Sequence, residues 1–209
     1  MFNKKEYKKI KTEIPESVKI LAATKTKPAE DITEAINLGV KIIGENYVQE
    51  AEEKYEKLKD LFKEKRVSFH LIGHLQTNKI KEAVRIFDCI ETVDSERLAE
   101  KINKICNDLD KNIDIMIEIN FEESQKSGIT IEEIDSLIKK IKTFQNLNLI
   151  GFMAIPGIGK EKECFEKMKE LKEKYNIKEL SMGMSSDYKT AIGNGATIIR
   201  LGTILFGGR

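Results

Sequence analysis

The sequence has little that would divide it, anchor it or charge it. It contains three prolines in 209 residues and no low-complexity stretch, so no segment reads as an interdomain linker. Its three cysteines, Cys89, Cys106 and Cys164, lie far apart and form no CxxC pair. That pattern argues for buried thiols rather than a disulfide frame or a metal site. No apolar run approaches the about 18–20 residues needed to span a bilayer. The opening MFNKKEYKKIKTEIPES is charged and lacks an apolar core, so it does not read as a signal peptide. The expectation is a cytoplasmic chain without a membrane segment. Internal repeats at the residue level are absent. Net charge is nearly absent too: 36 Lys and Arg against 35 Asp and Glu leave +1, which removes the usual electrostatic argument for nonspecific nucleic-acid binding.

What is present is an ordinary globular balance, 40% hydrophobic and 34% charged, in a length that suits one domain over 1–209. The lysine-rich start predicts an N-terminal helix over 1–14 with a solvated face. Beyond it, short β-branched runs alternate with helical spacing eight times. The predicted strands are 18–24, 41–45, 67–73, 88–93, 112–120, 147–155, 179–184 and 197–202. The intervening segments carry apolar residues at i, i+3/i+4, as in Val48, Ala51, Tyr55, Leu58 and Phe62, and LQTNKIKEAVRI predicts a helix from Leu75. Pro28 suits a helix start and Gly39 a helix end, and Asp94 or Ser95 caps the helix bearing Leu98, Ile102 and Ile105. Eight consecutive βα units predict a closed (β/α)8 barrel, a TIM barrel, rather than an open doubly wound sheet.

In such a barrel the residues at and just beyond the strand C-termini face the active site. Those positions hold Lys25, Asn46, His70, His74, Gln76, Asn78, Asn120, Met153, Ser185, Ser186 and Arg200 through Thr203. Lys25 ends an apolar strand, where burial favours the neutral amine that Schiff-base chemistry needs. By position alone the commoner reading is one surface lysine among many. GMSSDYKTAI opens a helix with two hydroxyls and free backbone N–H groups, and RLGTILFGG adds Gly202 and Thr203. Together they sit where this fold often builds a phosphate site, after strands seven and eight. A capped helix and a glycine turn would look the same. His70 and His74 are i, i+4 and share a strand face, but no third ligand has metal spacing, so they read as structural or loop-positioning residues. Lys79 reads as a helix-surface charge ahead of an anion contact.

At these residues the chain resembles the pyridoxal phosphate homeostasis protein family, relatives of the alanine racemase N-terminal barrel. ATKTKP, GENYVQE, FHLIGHLQTNK, SQKSGI, GFMAIP, LSMGMSSD and RLGTILFG occur in family order from about Val18 onward. The segment ahead of strand one is shorter than is usual in the family. The resemblance implies a pyridoxal 5′-phosphate (PLP) cofactor in an internal aldimine with Lys25. It implies Asn46 beside the ring and Met182 or its neighbours near the ring edge. Ser185, Ser186, Gly202 and Thr203 would hold the phosphate, and Arg200 would approach the pyridine nitrogen. A guanidinium there disfavours protonation of the ring and weakens it as an electron sink.

The implied function is non-catalytic PLP binding in vitamin B6 homeostasis, buffering the cofactor or delivering it to apo-enzymes. The alternative is an amino-acid racemase. Racemases of this kind add a C-terminal β domain and receive a tyrosine from the partner subunit. Here the sequence stops at Arg209, and Tyr47 and Tyr188 are the only tyrosines near strand ends. Binding without efficient turnover, by a monomer, is the expectation. A vestigial site that binds no cofactor is the third reading.

Overall fold

The computed structural model describes residues 1–122 and 127–208. Helix α1 (Lys4–Glu13) opens the chain, its N-cap Asn3 accepting from the Glu6 N–H at 3.1 Å. The units that follow are β1 (Lys19–Ala23) with α2 (Ala29–Asn37), β2 (Ile42–Glu45) with α3 (Val48–Lys65), and β3 (Ser68–Leu71) with α4 (Ile80–Ile86). Next come β4 (Cys89–Val93) with α5 (Glu96–Asp108), β5 (Ile113–Ile119) with α6 (Ile134–Ile141), and β6 (Leu147–Ala154) with α7 (Glu161–Tyr175). The last units are β7 (Glu179–Ser181) with α8 (Tyr188–Gly193) and β8 (Ile198–Leu201) with the short α9 (Thr203–Phe206). All neighbouring strands pair in parallel, and β8 returns to β1 through Lys19–Ile198 to Ala22–Leu201, which closes the barrel. The predicted (β/α)8 architecture is therefore the observed one.

Period-two alternation divides the core into two layers. One face of each strand packs against the helices, in a continuous layer that includes Ile20, Ile43, Phe69, Phe152 and Ile199. The other face fills the barrel with Leu21, Ile42, Ile72, Cys89, Met116, Met153 and Ile198. Each such side chain contributes about 1.5–3 kcal/mol by leaving water. Helix ends follow local chemistry. Ser95 rather than Asp94 caps α5, accepting from the Leu98 N–H at 3.2 Å, and Arg66 and Asn176 end α3 and α7 in the left-handed region. All three cysteines are buried and unpaired. No helix among the described residues is long and apolar enough to cross a membrane.

Two expected elements change. Strand seven is predicted over 179–184 but ends at Ser181, because Gly183 takes φ +90° and turns the chain. A Cβ there would come within 2.5 Å of Ala191 Cβ, so the turn and the packing of α8 both need glycine. The helix predicted from Leu75 instead starts as a 3-10 turn at Thr77–Lys79 before α4.

Candidate functional site

The strand C-termini converge on one mouth of the barrel, and the loops that leave them carry most of the residues singled out from sequence. Lys25 sits in the turn directly after β1, half-buried. Among the described residues its amine has no hydrogen-bond or ion-pair partner. Asn46 follows β2, half-buried, and its backbone lies under Gly73, where a Cβ would stand 2.2 Å from the Asn46 carbonyl oxygen. That close approach accounts for the glycine in the β3 loop, whose carbonyl also accepts from Thr92 Oγ1 at 2.8 Å.

The loops after β7 and β8 are joined. The Ile204 N–H donates to Ser185 Oγ at 3.3 Å, and the Arg200 N–H donates to the Gly183 carbonyl at 2.9 Å. Ser185 is half-buried, Ser186 and Thr203 are exposed, and Gly202 lies between β8 and α9. Gly202 has no positive φ, and a Cβ on it would meet nothing closer than the Ala23 carbonyl oxygen at 3.4 Å. The fold itself does not demand glycine at this position.

Arg200 points into the barrel and is buried. Its guanidinium donates to the Ser181 carbonyl at 2.6 Å, to Ser181 Oγ at 3.0 Å and to the Ala154 carbonyl at 2.8 Å. These bonds use three of its five donors. Burial pulls the guanidinium below its ordinary value, opposed by the negative charge of Glu91 and Glu118. Burial likewise raises the Glu118 carboxyl, against a hydrogen bond from Ser127 and the cation of Arg200.

Met182 is not brought to this mouth. It is fully buried in the layer between strands and helices, because alternation places it on the face opposite Ser181. Of its neighbours, Met184 reaches the mouth, at 36% exposure. His70 and His74 part company. His70 lies inside the barrel with Nδ1 2.6 Å from Glu91 Oε1 and Nε2 2.9 Å from Ser68 Oγ, whereas His74 is 58% exposed, 3.6 Å from Asp94. Lys79 is half-buried in the 3-10 turn. In the SQKSGI motif, residues 124–126 lie outside the described residues.

Several polar residues that the sequence reading did not single out are buried at or under the mouth: Glu45, Lys54, Glu91, Glu118 and Ser181. Their common signal is a charged or polar side chain inside an apolar pattern. Lys54 lies three residues after Ala51 and four before Leu58, on the buried stripe of α3.

The sequence model of the alanine racemase N-terminal domain matches residues 4–209. The pyridoxal phosphate homeostasis protein of Aquifex aeolicus is 41% identical over 202 residues, covering 91% of this chain and 87% of that protein. That of Escherichia coli K12 is 38% identical over 205 residues, covering 93% and 87%. The structure of PipY from Synechococcus elongatus with PLP bound superposes with a TM-score of 0.89 at 33% identity, over 98% of this chain and 99% of that one. The chain belongs to the pyridoxal phosphate homeostasis protein family, built on the alanine racemase N-terminal barrel.

Proposed function

We propose that this chain holds PLP at the C-terminal mouth of the barrel as a Schiff base on Lys25, and that it takes part in PLP homeostasis by buffering or delivering the cofactor without efficient turnover. One observation carries the reading. The bond from the Ile204 N–H to Ser185 Oγ unites the two loops of the expected phosphate cradle, one strand away from a half-buried lysine amine with no partner among the described residues. Gly202 fits that cradle, since neither sterics nor backbone conformation requires it and a bare peptide lets an anion approach. The relatives named for PLP homeostasis and the PLP-bound PipY support the same cofactor.

The division of labour follows. Ser185, Gly202 and Thr203, with Ser186 at the rim, would hold the phosphate, and Asn46 would lie beside the ring. Lys25 Nζ would condense with the aldehyde carbon, forming one C=N bond and releasing one water. Arg200 would face the pyridine nitrogen, its guanidinium charged at any working pH and therefore a poor proton donor. Bound PLP supplies a reactive aldehyde, and these residues retain it rather than activate it. The racemase reading needs a second acid–base group across the ring. Tyr188 is buried beneath the helices and Tyr47 is 61% exposed, which favours the carrier. Acceptors, in this reading, are apo-enzymes, and the carrier acts as a monomer.

The test is direct. Purified protein given PLP is expected to absorb as a protonated imine, and borohydride should fix the cofactor's mass on the peptide containing Lys25. Lys25→Ala should lose both signals. Cofactor trapped at the same site in that variant would overturn the lysine assignment. An alanine racemase kcat in the ordinary range of about 1–1000 s⁻¹ would overturn the carrier role.

A further inference from the structure

The turn that carries Lys25 is held by a buried ion-pair cluster from the next βα unit. Lys54 lies on α3 with its side chain only 9% exposed. Its ammonium donates to Glu45 Oε1 at 2.6 Å, to Glu50 Oε1 at 2.7 Å and to the Thr24 carbonyl at 2.7 Å. All three of its protons are thereby used. Glu45 Oε1 also accepts from Thr24 Oγ1, and Glu50 Oε1 accepts from the Thr26 N–H. The two peptide bonds that flank the Lys25 Cα are therefore both gripped: the 24–25 peptide by its carbonyl, the 25–26 peptide by its N–H.

We propose that Lys54, with Glu50, is a positioning residue for Lys25: the pair fixes both flanking peptides of the turn and so sets where the Lys25 amine stands relative to a cofactor held by the Ser185–Thr203 cradle. The proposal rests on the Lys25 reading above. Two further facts support it. Thr26 takes φ +64°, a region that β-branched residues rarely enter, and such backbone persists where its surroundings over-determine it. Stability alone also gives a poor account of the cluster. A buried cation and carboxylate are commonly replaceable by apolar side chains at no loss, so their yield here is a defined geometry. That geometry matters because C=N formation needs the amine at the aldehyde carbon while the phosphate is already fixed on the far side. Glu45 is shared between Lys54 and Thr24, and burial raises its carboxyl while Lys54 draws it back.

The experiment compares two ligands. PLP reads the cradle and the imine together, and 4′-deoxypyridoxine 5′-phosphate, which has no aldehyde, reads the cradle alone. Glu50→Ala, which removes the acceptor at a partly exposed position, and the double variant Glu45→Gln/Lys54→Met, which leaves no unpaired buried charge, are titrated with both. PLP affinity is expected to fall about tenfold or more in each variant, with the analogue held within about twofold of wild type. Parallel losses for the two ligands would show a general structural role and overturn the proposal, as would unchanged PLP affinity in Glu50→Ala, which stays decisive if the double variant does not fold. In wild-type protein, equal affinity for the two ligands with no borohydride-trapped cofactor on Lys25 would instead overturn the Lys25 reading, and this proposal with it.

Discussion

Arg200 carries a full charge to the top of a barrel interior, and three carbonyl and hydroxyl acceptors plus two carboxylates are arranged around it. Its side chain is held by the protein's own acceptors, which is the condition for a contact that orients without rearranging. A charged hydrogen bond is worth about 1.5–3 kcal/mol, so Arg200→Ala is expected to weaken PLP binding about ten- to a hundredfold. Borohydride should still fix the cofactor on Lys25 in that variant, since the lysine and the cradle are untouched. Complete loss of trapping in folded Arg200→Ala would contradict this placement. The cysteines make the opposite case, reactive groups made inert. Burial pushes Cys106 up to about 11 and Cys164 up to about 12, and inside the barrel it raises Cys89 well above its ordinary value. Thiolate is therefore scarce at neutral pH. A colorimetric thiol titration is expected to give near zero in the native protein and three per chain in denaturant. One fast-reacting native thiol would be inconsistent with this burial.

Helix α1 is tied to the last element of the chain. The Asn3 N–H donates to the Leu205 carbonyl at 2.7 Å, Phe2 packs on Phe206 with ring centroids 5.3 Å apart, and Ile10 is fully buried. Because α9 leaves directly from Gly202 and Thr203, α1 braces the far end of the proposed phosphate cradle. Ile10→Ala is expected to cost about 2–5 kcal/mol in urea unfolding, and a cost under about 1 kcal/mol would mean that α1 is not docked as described. The lysine face of this helix was readable from sequence, but its partner was not, because Phe2 and Phe206 stand at opposite ends of the chain. The same division holds elsewhere. Alternation and helical spacing made all eight strands legible, since each buries two faces or one stripe. Strand seven was read too long because its end depends on the φ of Gly183, and Met182, singled out with its neighbours by resemblance, faces the helices because alternation sets it opposite Ser181. Lys25, Ser185, Gly202 and Thr203 were legible because strand ends mark them. Lys54 and Glu50 were not, since a helix lysine four residues from a glutamate ordinarily signals a solvated pair. Only its place on the Ala51–Leu58 stripe set it apart.

At the scale of the whole barrel, the interior is unusually polar for a fold whose centre is filled mainly by branched apolar side chains. Ser68, His70, Glu91, Ser181 and Arg200 form one hydrogen-bonded chain through it. This hydrogen-bonded chain starts beside a cavity of about 370 Å³ at the N-terminal mouth, lined by Lys19, Ser68, His70 and Glu179 among others, and ends beneath the C-terminal mouth. Each member is paired, so the interior tolerates these charges as a set, and the Glu118 carboxyl at the upper end contributes to how stability follows pH. Burial raises the Glu118 carboxyl above its ordinary value, more than Ser127 and Arg200 lower it. The folded state thus holds the Glu118 proton more tightly than the unfolded chain does. Stability from this group is fully present below the unfolded value near 4.5 and is lost as pH rises through the raised folded value. Glutamine keeps an oxygen for the Ser127 hydroxyl while removing the buried charge. Glu118→Gln is therefore expected to raise the unfolding temperature at pH 7 relative to wild type and to raise it less, or not at all, at pH 4. A variant less stable than wild type at pH 7 but equal to it at pH 4 would show that the Glu118 charge is stabilised by Arg200 beyond the cost of its burial, so that pairing outweighs desolvation at this end of the barrel.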